Sequence, residues 1–109
     1  MPIDIIAIIT PKPGKAERVE ALLKTTATAV NQHEPGVLRY HLQRETKVKE
    51  GQAPTFVMLE TYKDEQSLGI HAGTEHFKEL SKAFKGEDLL AEPMKVLFTE
   101  AVGGFVSRL

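Results

Sequence analysis

The succession of periodicities along the chain predicts an α+β domain of ferredoxin-like plan, β-α-β-β-α-β, with one four-stranded antiparallel sheet and its helices on one face. Three observations carry this. Four short stretches are β-branched or alternate apolar with polar, helical periodicity fills the gaps after the first and third, and proline or glycine marks most junctions. With 109 residues, 41% hydrophobic and 27% charged, the chain can bury one ordinary core but not two. Residues 1–102 read as the domain and 103–109 as a C-terminal tail.

Ile3 to Thr10 is the first strand, ended by Pro11, Pro13 and Gly14, which cannot continue a ladder. Both its faces are mainly apolar, so both want cover. From Lys15 to about Gln32, Val19, Leu22, Leu23, Thr26 and Val30 recur at helical spacing and predict an amphipathic helix that stops before Glu34-Pro35-Gly36. Val37 to Glu45 reads as a second strand, with Leu38, Tyr40 and Leu42 on the drier face and Arg39 and His41 on the other. Lys47 to Pro54 is a hairpin-type connection. Thr55 to Tyr62 follows as strand three, with Phe56, Met58, Glu60 and Tyr62 on one side. Asp64 caps a short helix over Glu65 to Ala72, Gly73 interrupts it, and Thr74 caps a second helix bearing Phe77, Leu80 and Phe84. After a connector, Met94 to Val102 supplies the last strand, and Gly103-Gly104 releases the tail.

This plan leaves one sheet face bare. Its apolar residues, from strands one, three and four, would form a larger patch than soluble monomers usually expose, and a second copy packed face to face by a two-fold axis is the natural cover. A homodimer is expected, with the tail bracing the partner.

The composition excludes several function classes. A net charge of −1 offers no broad positive field for nucleic acid. The longest apolar run, Ile5 to Ile9, is too short for a signal or a membrane span. The absence of cysteine excludes disulfides, thiolate metal sites and cysteine nucleophiles and fits an intracellular protein. No glycine-rich phosphate motif supports a nucleotide cofactor, and no cofactor is expected. The closing Ser107-Arg108-Leu109 resembles a peroxisomal address, meaningful only in a eukaryote and cytoplasmic otherwise.

The candidates for chemistry are histidines, tyrosines and one misplaced carboxylate. Glu60, among Phe56, Met58 and Tyr62, costs free energy unless it is paired, hydrogen-bonded or protonated. His71, soon after strand three, can project over the sheet toward Glu60 or Tyr62 as an acid-base group, or serve structure alone. His71 and His76 stand about 140° apart on an ideal helix, which misses the spacing that places two imidazoles on one metal. Gly73 could bend them closer, but no third ligand is evident, so no metal is expected. Arg39 and His41 share a strand face and could meet a polar or anionic substrate.

The stretch from Phe56 to Asp64, continuing through His71-Ala72-Gly73-Thr74-Glu75-His76-Phe77, together with Glu34 to Tyr40, resembles the antibiotic biosynthesis monooxygenase family. The resemblance covers nearly the whole chain and implies a dimeric α+β barrel built from two ferredoxin-like sheets. Departures narrow its meaning. The positions aligned with the asparagine, tryptophan and tyrosine of the polyketide oxygenases hold Met58, Tyr62 and Leu68, and Ser81 stands at the counterpart of the haem-degrading enzymes' axial histidine. Glu60, Tyr62, Lys63, Asp64, His71, Thr74 and His76 match instead the small quinol monooxygenases and an isomerase of a phosphorylated autoinducer sugar. The resemblance therefore implies a cofactor-independent oxygenase of a small aromatic or quinol, with His71, Glu60 and His41 as catalytic candidates. Tyr62, Met58, Arg39 and His76 would bind substrate, Tyr62 orienting the ring and Glu60 fixing the histidine's tautomer. A proton-transferring isomerase of a phosphorylated sugar or hydroxyketone, or a non-catalytic ligand-binding dimer, stands as the alternative.

Overall fold

A computed structural model describes residues 1–109. Its elements run β1 (Ile3–Ile9), α1 (Ala16–His33), β2 (Val37–Arg44), β3 (Phe56–Tyr62), α2 (Glu65–Gly73), α3 (Glu75–Gly86) and β4 (Lys95–Thr99). The four strands form one sheet in the order β2-β3-β1-β4, every neighbouring pair antiparallel. This is the α+β, ferredoxin-like arrangement that the periodicities predict.

Register decides what faces the helices. Ile5 pairs with Glu60, Ala7 with Met58 and Ile9 with Phe56, so these side chains share the helix side of the sheet. There they meet Val19 and Leu23 of α1 and Leu80 and Phe84 of α3 in the buried core, which Leu89 completes. Each large aliphatic or aromatic side chain buried there contributes on the order of 2 kcal/mol.

The helix boundaries follow local chemistry. The α1 helix ends where Glu34 still donates its N–H to the Val30 carbonyl but Pro35 has no N–H to continue. Asp64 accepts the Ser67 N–H at 2.8 Å and caps α2, and the Thr74 hydroxyl accepts the Phe77 N–H and caps α3. Thr74 thus closes one helix and opens the next, turning the chain between His71 and His76.

Two sequence expectations change. Leu38 does not lie on the dry face of β2: the register slips between Val37 and Arg39, so Val37 faces Tyr62 while Leu38 is the extra, exposed residue of a bulge. The last strand stops at Thr99 rather than Val102, because Asp4, its partner, is nearly the last paired residue of β1 and Pro2 has no N–H to extend the ladder. No helix covers β4, whose five residues are all exposed, Phe98 at 67%. On the side away from the helices, Ile6, Ile8, Val57 and Leu59 are only partly buried and Leu97 is exposed. No helix is long and apolar enough to cross a membrane.

Candidate functional site

Between the helix layer and the sheet lies a cavity of about 140 Å³, close to the volume of an apolar void that holds one benzene-sized ring. Ala7, Met58, Leu68, Leu80 and Phe98 are among its apolar walls, and no lysine or arginine lines it. Its chemistry is confined to four side chains, Glu60, Tyr62, Tyr40 and His71.

Glu60 is buried on the cavity side of β3 and accepts a hydrogen bond of 2.5 Å from the Tyr62 hydroxyl, two residues along the same strand face. Burial pushes the Glu60 carboxyl above its ordinary range, and the Tyr62 hydrogen bond only partly opposes that. Burial, and after it the hydrogen bond to Glu60, raises the Tyr62 hydroxyl far above the physiological range. Tyr40 is likewise raised, by burial first and the Glu60 charge second. Both phenols stay protonated. Tyr62 has spent its proton on Glu60, whereas the Tyr40 hydroxyl makes no hydrogen bond within the chain. Since no buried side-chain oxygen or nitrogen lacks a partner, the Tyr40 oxygen must reach accessible space, where it can donate to a bound oxygen.

His71 is 4% exposed in the last turn of α2, ringed by Tyr40, Tyr62 and Phe77 at centroid distances of 5.5, 5.4 and 5.0 Å. Its Nδ1 lies 2.9 Å from Oε1 of Glu34, itself only 5% exposed. Facing a carboxylate, Nδ1 must carry the proton and donate it. The Nε2 lone pair, with no partner in the chain, then opens onto accessible space beside the cavity. Burial lowers the imidazole's proton affinity against the opposing pull of Glu34, so the neutral ring is favoured. A neutral imidazole with a fixed tautomer and an accessible lone pair has the chemistry a general base requires.

The second Glu34 oxygen accepts Nε2 of His76 at 2.5 Å. The helix break between α2 and α3 therefore brings the two histidines onto one carboxylate, which their spacing on a continuous helix does not. His76 holds Glu34 and does not line the cavity. Met58 is buried in the cavity wall, and Glu60 steadies Tyr62 rather than the histidine. Arg39 and His41 pair with Thr61 and Leu59, on the sheet face opposite the cavity. Both are exposed, His41 lying 3.3 Å from the Gln43 side chain, and the fold does not bring them to the other candidates.

Sequence reasoning missed Glu34 and, of the two candidate tyrosines, gave a role only to Tyr62. Glu34 reads as part of a turn, and nothing in the spacing links it to His71, 37 positions away. Its approach rests on Gly36, where a Cβ would stand 2.2 Å from Oγ and 2.8 Å from Cβ of Ser67 in α2. Lys63 also donates its N–H to the Gly36 carbonyl at 2.8 Å, tying this turn to the end of β3.

Comparison with known proteins agrees with this architecture. The family described as antibiotic biosynthesis monooxygenase matches residues 2–83. The "Putative monooxygenase YcnE" of Bacillus subtilis is 37% identical over 97 residues, covering 86% of this chain and 92% of that protein. Among solved structures, a "putative antibiotic biosynthesis monooxygenase" of Caulobacter crescentus superposes with a TM-score of 0.79 at 30% identity, covering 94% of this chain and 91% of the other. The protein PA3566 of Pseudomonas aeruginosa gives 0.76 at 31%, with 94% and 95% covered. These relatives are bacterial, so they give Ser107-Arg108-Leu109 no support as a peroxisomal address. Matched over most of its length in sequence and in fold, the chain belongs to the antibiotic biosynthesis monooxygenase family.

Proposed function

We propose that the protein is a monooxygenase that uses no cofactor and acts on a small hydroxylated aromatic, a phenol or hydroquinone of about one ring. The observation that carries this reading is the lone pair of His71, anchored through Nδ1 to a buried carboxylate and presented beside an apolar chamber of ring size. The substrate enters with its ring on Met58 and Leu80, and one hydroxyl gives its proton to His71 Nε2. The resulting phenolate is a far better electron donor than the phenol and reduces O₂ directly. Radical recombination forms a hydroperoxide on the ring, the proton returns from His71, and water leaves. For hydroquinone the sum is C₆H₆O₂ + O₂ → C₆H₄O₃ + H₂O, so the substrate supplies all the electrons. Tyr40 donates a hydrogen bond to a substrate oxygen, and Tyr62 packs against the ring with its hydroxyl held by Glu60.

The absence of any lysine or arginine from the lining favours this reading over an isomerase of a phosphorylated sugar, since no cation in the cavity could hold a phosphate and Arg39 lies on the other face. Oxygen uptake with hydroquinone in chelator-treated buffer, with ¹⁸O₂ appearing in the product, tests it. Uptake should fall by about 10²-fold or more in His71→Gln. Solvent deuterium exchange into a hydroxyketone without oxygen uptake would favour the isomerase instead.

The working assembly in this proposal is a homodimer. The half-covered face formed by Ile6, Ile8, Val57, Leu59 and Leu97 supports a second copy packed against it, with the tail from Gly103 to Leu109 reaching across.

A further inference from the structure

We propose that Glu34, His71 and His76 form a binding site for a divalent transition metal of the zinc class, and that the metal switches the cavity's base off. Three elements converge on the site: the turn after α1, the end of α2 and the start of α3. One ligand atom from each residue lies within 4.8 Å of the other two, and Nδ1 is the His71 nitrogen that faces Glu34. Two imidazoles and one carboxylate, with a fourth position for water, make up a common zinc donor set. Ligand atoms on a tetrahedral zinc stand about 3.4 Å apart, as follows from metal–ligand lengths near 2.1 Å. From the present contacts of 2.9 and 2.5 Å the carboxylate has to draw back by less than about an ångström, and the two imidazole nitrogens, within 4.8 Å of each other, have to close by up to about 1.4 Å.

A second observation points to a cation. The Glu34 side chain is 2% exposed, and its ion-pair contacts are with the two histidines alone, with no lysine or arginine. Carboxylates so buried are normally paired with a fixed positive charge or bound to a metal. A third is access: Glu34 also borders a polar hollow of about 400 Å³, lined by Gly36, Asp64 and Ser67 among others, through which an ion and its water could enter.

The consequence follows from imidazole chemistry. A neutral imidazole bonded to metal through Nδ1 carries its proton on Nε2, so the lone pair facing the cavity is lost and the ring becomes a donor. This consequence rests on the base role of His71 proposed above; the site itself does not.

The test is calorimetric titration of the chelator-treated full chain with Zn²⁺, and absorption spectra with Co²⁺. One equivalent should bind, with the intense visible bands of tetrahedral cobalt, and affinity should fall by about tenfold or more in His76→Ala and in Glu34→Gln, each checked for fold by circular dichroism. Absence of binding, or binding unchanged in both variants, overturns the proposal. Hydroquinone turnover is the separate arm. Zinc should suppress it and chelation restore it, whereas turnover undiminished with the metal bound leaves the site standing and refutes His71 as the base.

Discussion

Replacing Glu34 by glutamine separates the role of its charge from that of its shape. The carboxylate accepts from two imidazoles at once, His71 on one oxygen and His76 on the other. Glutamine offers one acceptor oxygen and one NH₂, so one of the two rings must face a donor. If that ring is His71, it either keeps its Nδ1 proton against the amide N–H, or turns over and moves the proton to Nε2. The first leaves a buried donor unsatisfied at about 1–3 kcal/mol, and the second removes the lone pair from the cavity. Either outcome takes about 10- to 100-fold from the population of the active tautomer, because each 1.4 kcal/mol is a factor of ten. The apolar lining is untouched, so with the amide N–H toward His71 kcat for hydroquinone should fall by about that factor in metal-free protein while KM stays near its original value, whereas with the amide oxygen toward His71 the N–H goes to His76 and the His71 tautomer and kcat hold. Steady-state oxygen uptake gives the two constants, and ¹⁵N shifts of the His71 ring report the tautomer. A kcat within about threefold of the parent, with the ring nitrogen shifts displaced, would refute the reasoning.

Other consequences are as direct. Gly36→Ala drives a methyl group into Ser67, so it should cost about 1–3 kcal/mol in urea unfolding and lower activity through displacement of Glu34 from His71. Glu60→Gln should stabilise the fold at neutral pH. The native carboxyl binds its proton more tightly than its ordinary value of 4.5 allows, so native stability declines as pH rises from about 4.5 through the raised native value, and denaturation curves of the variant should lack that decline. The opposite shift of His71 places the acid limb of kcat/KM below 6.5 in metal-free protein, with full activity above it; a limb above 6.5 would contradict the burial argument. Leu97→Glu puts a charge on the open sheet face without touching the cavity and should convert the proposed dimer to monomer in ultracentrifugation, with the helical circular dichroism retained.

The fold was largely legible because its elements announce themselves over short ranges. Thr10 to Gly14 stops β1, Asp64 and Thr74 cap helices where hydroxyl and carboxylate cappers are expected, and the alternation through β3 puts Glu60 and Tyr62 on one face. The bulge at Leu38 was not legible, since one extra residue shifts the facing of its neighbours without any proline or glycine inside the strand to mark it. The site was read in part. Glu60, Tyr62, Met58 and His71 do line one cavity, because strand period and helix placement are local facts. Glu34 was hidden because its contact with His71 depends on how closely α2 approaches the turn after α1, a tertiary distance set at Gly36 and Ser67. Arg39 and His41 were attractive by residue type, but the strand's pleat aims them away from the helices.

The most direct measurement is the absorption spectrum of hydroquinone added to the metal-free protein under strict exclusion of oxygen. A neutral His71 whose Nε2 accepts the phenolic hydrogen bond predicts a red shift of the ligand's absorption band at pH 7 that saturates with one ligand per chain and is missing in His71→Gln. A bound ligand whose spectrum shows no such shift, or a shift unchanged in His71→Gln, would contradict the account.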